Sequence, residues 1–153
     1  MHTTRRQILK HSAVVASLLA GTGLFPQYAL AFNKGAFDAK SLADALKALG
    51  VSGAPEASTS ITLTAPDIAE NGAVVPLAVA STLSGVKQLV LLVEKNPSAL
   101  VAVFNVSPEL DASFATRAKM GESSDVYAVA ITGDGKAHFA KKEVKVTLGG
   151  CGG

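Results

Sequence analysis

The residues able to do chemistry in this 153-residue chain are few, and the most conspicuous lies at its end. Cys151 is the single cysteine, set in the run Leu148, Gly149, Gly150, Cys151, Gly152, Gly153. A lone cysteine in an exported protein is either cross-linked to another chain or a free reactive thiol. Glycine has little conformational preference and no side chain, so GGCGG reads as a thin, mobile arm. Fully extended, the arm carries Cys151 about 10 Å beyond Leu148, or about 20 Å if fraying starts near Lys145. Such a thiol suits a narrow active-site channel in another protein. It suits a rigid catalytic site poorly, because those need geometry fixed by packing. Without fixed neighbours it titrates near the reference value of about 8.5, so activation must come from a partner's site.

Other candidates are weaker. His138 falls on the polar face of a predicted strand and reads as an inert, exposed imidazole. Asp67 and Glu70 form a possible carboxylate pair, but Pro66 and Asn71-Gly72 make their segment a turn. Lys141, Lys142 and Lys145 either guard an edge strand against mispairing or steer an anionic ligand toward Cys151. There is no nucleophile elbow, phosphate loop or zinc-ligand set, so neither an enzyme nor a resident cofactor is expected.

Residues 1–31 read as a twin-arginine signal peptide. TTRRQILK carries Arg5 and Arg6, an apolar run too short and glycine-broken to span a bilayer follows, and Ala29-Leu30-Ala31 supplies a small-x-small cleavage site. Cleavage is expected after Ala31, giving a periplasmic protein with no membrane segment. It lowers the basic residues from 14 to 11 against 12 acids, so the net charge passes from +2 to −1. A nucleic-acid partner thereby loses its electrostatic footprint. An aromatic content of 5% without tryptophan also argues against stacking on bases or sugars.

The mature chain must position the thiol, and its patterning is mostly that of strands. FDAKSLADALKALG places Leu42, Ala45, Leu46 and Leu49 at helical spacing before Gly50, predicting one amino-terminal helix. Seven strands are then predicted over 59–64, 73–81, 86–94, 99–106, 111–119, 125–132 and 136–148, separated by turn-forming segments. Short strands at near-regular spacing point to a mainly β, immunoglobulin-like antiparallel β-sandwich. The domain spans 32–148 and the flexible carboxy-terminal arm 149–153. Three strands are apolar at both parities, which asks for cover on the outer face from the helix and from a partner subunit. In the last strand Ala137 and Phe139 are apolar at odd positions, but Val144, Val146 and Leu148 at even ones. That change predicts a bulge near residues 140–142.

Together the leader, the sandwich pattern, the segment PDIAENGAVVPLAV and the ending VKVTLGGCGG resemble the SoxY family, the sulfur-compound carriers of thiosulfate oxidation. The resemblance implies that Cys151 is the covalent attachment point and that Gly149, Gly150, Gly152 and Gly153 form its swinging arm. It implies a SoxZ heterodimer partner and three enzymes acting on the thiol. These are a c-type cytochrome that conjugates thiosulfate, a hydrolase that releases sulfate, and a sulfane dehydrogenase. The alternative from another class is an exported structural sandwich that uses Cys151 for an intermolecular disulfide. A ubiquitin-like carrier ending in Gly-Gly fails on compartment, since its activation needs ATP.

Overall fold

The computed structural model describes residues 33–147. The expected leader with Arg5, Arg6 and its cleavage site at Ala31, and the arm from Gly149 to Gly153 with Cys151, lie outside the described residues. Among the described residues no helix is long and apolar enough to cross a membrane.

Where one helix is predicted, two short ones form: α1 (Lys34–Asp38) and α2 (Leu42–Ala48). Ser41 causes the break. Its hydroxyl accepts from Asp44 N at 3.1 Å and its backbone is extended, as an N-cap requires, so no helix can run through it. Asn33 caps α1 in the same way through Ala36 N. Gly50, at φ +86°, ends α2 with the paired bonds Val51 N to Leu46 O and Gly50 N to Lys47 O.

Nine strands follow: β1 (Glu56–Ala57), β2 (Ile61–Thr64), β3 (Ile68–Ala69), β4 (Val75–Ser81), β5 (Val86–Val93), β6 (Leu100–Asn105), β7 (Ser113–Ala118), β8 (Ser124–Thr132) and β9 (Ala137–Val146). All seven predicted strands are present, with ends moved by two residues or fewer. The two additional strands, β1 and β3, are dipeptides too short to carry a periodic signal. Each pairs with β9 in parallel, a departure from the all-antiparallel expectation. The larger sheet runs β1-β9-β8-β5-β6, with β3 further along the same edge of β9, and the smaller runs β2-β4-β7.

The sheets face each other as a sandwich. Ile61, Val75, Leu77 and Val79 from the smaller sheet pack with Leu89, Leu91, Val126 and Val144 from the larger. A second core lies on the larger sheet's outer face, where Ala36, Ala45 and Leu46 of the helices cover Val90, Leu92, Val129 and Ala137. The double-sided apolar pattern of β5 is thus explained within the chain, which fully buries Val90 and Leu92. That of the other two strands is not, since Pro76 of β4 is exposed, Ala78 and Ala80 are half-buried, and Val101 to Phe104 of β6 are half-buried.

The same arrangement overturns the bulge predicted in the last strand. Pairing of β8 with β9 runs without a slip from Ser124↔Val144 to Ile131↔Ala137. Ala137 and Phe139 belong to the helix-covered core, while Ala140, Val144 and Val146 belong to the core between the sheets. The strand keeps its register and changes which face is apolar, because helices cover only one stretch of the outer face. The irregularities lie in β5 instead, between Val86 and Gln88 and between Leu91 and Leu92.

Candidate functional site

Cys151 follows Thr147, the last described residue, by four positions, so the chain can carry it at most about 14 Å from there. What the structure defines is the base of the arm. Three successive amides at the end of β9 are taken up on alternate sides. Lys145 N donates to Asp67 O at 3.0 Å, Val146 N to Ser123 Oγ at 2.9 Å, and Thr147 N to Ala69 O at 3.1 Å. The segment that carries Asp67, Glu70 and Gly72 is therefore the holder of the end of β9 as well as a turn.

Gly72 is needed there for a reason of space. A Cβ on it would lie 2.3 Å from Met120 O and 2.8 Å from Val146 Cγ1, both far inside contact distance. Met120 N also donates to Gly72 O at 2.7 Å, drawing the β7–β8 loop onto the same point. Asn71 shapes the turn, its Oδ1 accepting from Ala73 N at 2.9 Å. Sequence reading takes Asn71-Gly72 as ordinary turn chemistry and passes over Ser123. Only the extra glycine demand of a crowded site separates the two cases, and one sequence does not display it.

Asp67 and Glu70 are not brought together as an acid–base pair. The Asp67 carboxylate meets Lys142 Nζ at 2.9 Å, and the hydrogen bond and charge of that ammonium hold its carboxyl below the usual range. Lys142 Nζ also donates to Ala65 O at 2.7 Å. Lys141 pairs with Asp125 at 2.8 Å and stands 5.8 Å from the centre of the Tyr127 ring. The hydrogen bond to the Asp125 carboxylate, and after it the acidic phenol of Tyr127, raises the lysine's pKa. Both lysines sit on the part of β9 left open between β1 and β3, where charge discourages a further strand. That leaves Lys145 as the member of the trio with no ion pair among the described residues.

His138 is half-buried in register with Glu56 and Ala130, near the opposite end of β9 from the arm. Among the described residues, no three His, Cys, Asp or Glu side chains gather where they could hold a metal ion.

A two-layer sandwich whose last strand is pinned at its end, with a single thiol four residues beyond, has the build of a protein that presents a group to others. Residues 46–151 match the family model described as sulfur oxidation protein SoxY, a span that ends on the cysteine itself. The structure of the sulfur carrier protein SoxY from Chlorobium limicola f thiosulfatophilum is 37% identical, with a TM-score of 0.64 over 71% of this chain and 97% of that one. The chain belongs to the SoxY family. Two structures of the superoxide reductase (neelaredoxin) from Ignicoccus hospitalis, 15% and 13% identical, reach a TM-score of 0.51 over 57% of this chain and 80% of theirs. At that identity they share the fold alone. No curated protein matches the chain.

Proposed function

We propose that this protein is an exported, non-catalytic carrier that holds intermediates of thiosulfate oxidation on Cys151. The observation that carries the reading is the family match, which extends through the end of β9 to the only thiol in the chain. Oxidative conjugation joins the Cys151 thiolate to thiosulfate, with two electrons passing to a c-type cytochrome enzyme, and leaves Cys–S–S–SO3⁻. Hydrolysis of the terminal sulfonate releases sulfate. A sulfane dehydrogenase, where the organism has one, then oxidises the sulfur left behind, and a second hydrolysis restores the thiol. Gly149, Gly150, Gly152 and Gly153 give the arm its thinness, and the holder segment fixes where it departs. Export by the twin-arginine route, with Arg5 and Arg6 as its signal and cleavage after Ala31, puts the carrier in the periplasm. There it works as a heterodimer with SoxZ.

The test is the intact mass of the protein purified from its source without reductant, and again with it. A chain beginning at Phe32 with added sulfur or sulfonate that reductant removes is the expected result. A mass accounted for entirely by a stable Cys151-linked homodimer would replace the carrier with a structural, disulfide-bonded sandwich.

A further inference from the structure

The two sides of the sandwich are guarded unequally. On one side β9 closes the larger sheet, with β1 and β3 paired to its ends and Lys141 and Lys142 on the stretch between them. On the other side β6 closes the larger sheet and β7 the smaller, and among the described residues no strand pairs with the far edge of either. β6 reads LVAVFN, with no charge, proline or glycine to blunt a free edge. Its middle, Val101 to Phe104, is only half-buried by the chain.

The backbone groups on that edge can be identified. Val106 N donates to Lys87 O at 2.9 Å, and pairing with β5 is regular from Asn105↔Gln88 to Ala102↔Leu91. By alternation the amides and carbonyls of Phe104 and Ala102 turn toward β5, and those of Val103 and Asn105 turn away from it. The ring of Phe104 stacks on Phe114 of β7, with centroids 4.7 Å apart and planes 2° from parallel, and both rings are half-buried. Charge is divided along this side. Arg117 stands beside Leu100 and Val101 at the end where β6 begins, while Glu109 and Asp111 lie in the loop at its other end. None of the three has an ion pair among the described residues.

We propose that β6 is a self-association edge, along which two copies of the chain pair antiparallel about a two-fold axis at Phe104. Val103 of each copy then meets Asn105 of the other, which forms about four backbone hydrogen bonds from groups that β5 leaves free. Between those pairs Phe104 faces its own counterpart in a non-hydrogen-bonded position, where side chains come closest. The two Phe104–Phe114 stacks join there in one aromatic cluster. The division of charge selects a second copy as the occupant. Antiparallel pairing sets Arg117 of each copy near the Glu109 and Asp111 loop of the other, twice over, whereas a parallel pairing sets like charges together. The two arms leave from opposite ends of the paired body, so this contact is separate from any disulfide through Cys151. It does not depend on the carrier reading.

The experiment uses the whole chain with Cys151→Ser, which cannot form a disulfide, in sedimentation velocity from about 5 µM to about 1 mM. The contact is smaller than a standard interface, so a monomer–dimer equilibrium with a Kd of roughly 10–500 µM is expected. Raising the concentration should slow hydrogen exchange at the Val103 and Asn105 amides and leave Phe104, already turned to β5, unchanged. Asn105 is exposed and its N–H faces away from β5, so Asn105→Pro should weaken the dimer by about ten-fold or more with the melting temperature unchanged. Arg117→Glu should also weaken it, and adding Glu109→Arg with Asp111→Arg should restore it. These charge variants lie outside the core and decide the question if the proline lowers the melting temperature. A chain that stays monomeric throughout, or a dimer that neither Asn105→Pro nor Arg117→Glu weakens, would overturn the proposal. So would a different copurifying protein that protects the same two amides while the chain alone stays monomeric, which would assign the edge to a foreign strand.

Discussion

Replacing Gly72 by alanine tests the account of the arm's base more sharply than any change to the arm. The new methyl would have to sit 2.3 Å from a backbone oxygen, that of Met120, which no rotamer change can move aside. Overpacking of this kind costs about 1–3 kcal/mol. Relief requires parting the two chains, which lengthens the 2.7 Å bond from Met120 N to Gly72 O and forfeits about 1 kcal/mol more. The stiffer unfolded chain returns about 0.4–1 kcal/mol. The net expectation is a loss of about 2 kcal/mol, or a fall of roughly 1 M in the urea midpoint for a slope near 2 kcal/mol/M. The loss should also be local. In hydrogen exchange the amides of Lys145, Val146 and Thr147 should speed up about thirty-fold, as 2 kcal/mol of local opening implies, while Val129 in the middle of the sheet changes less. Gly121→Ala is the control. A Cβ there meets nothing within 4 Å and the backbone is not left-handed, so that variant should be as stable as the native chain or slightly more so. Native stability in Gly72→Ala, or equal losses in both variants, would refute the crowding argument.

Leu92→Ala should cost about 2–5 kcal/mol and lower the melting temperature by about 10 °C or more, since the side chain is fully buried under the helices. If thermal melting is unmoved while association with a partner is lost, that face is an interface and not a second core. Asp134, whose carboxyl is lowered to about 2 by the Thr132 hydroxyl and then by the Lys136 amide, should give an NMR titration midpoint near that value. Because its folded value is depressed, its contribution to stability is complete above about pH 4 and disappears as pH falls toward 2, a dependence that Asp134→Asn should flatten. Replacing Gly149 and Gly150 together by proline should slow loading of Cys151 by the partner enzymes several-fold without altering the melting temperature. Unchanged turnover would remove the case for a swinging arm.

How far the sequence discloses this molecule depends on whether a signal is local. Seven strands are legible because each has alternating or continuous apolar residues between turn-formers. Cys151 is legible because it is alone. The division of the helix is visible in principle, since Ser41 followed by Asp44 is a capping pair, but the apolar spacing of Leu42, Leu46 and Leu49 masks it. The apolar parity of β9 is misleading for a different reason. A change of parity along one strand has two causes, a slipped register or a change in which face is covered, and only the position of the helices decides between them. Gly72 and Ser123 belong to the same group, because their partners Met120 and Val146 come from distant parts of the chain.

The distribution of reactive groups also bears on why such a body would carry a thiol without using it. The imidazole of His138 lies eight residues before Val146 on an unbroken strand, roughly 26 Å away. Cys151 can range only about 17 Å from Val146, so this imidazole cannot serve as its base. The chain also has no second cysteine, so it cannot displace its own load by thiol–disulfide exchange. On the carrier reading proposed above, the activation of the thiol and the release of what it carries fall to partner proteins. The sandwich contributes a fixed end to β9, built from three amides and a glycine that a larger residue could replace only at a cost in stability.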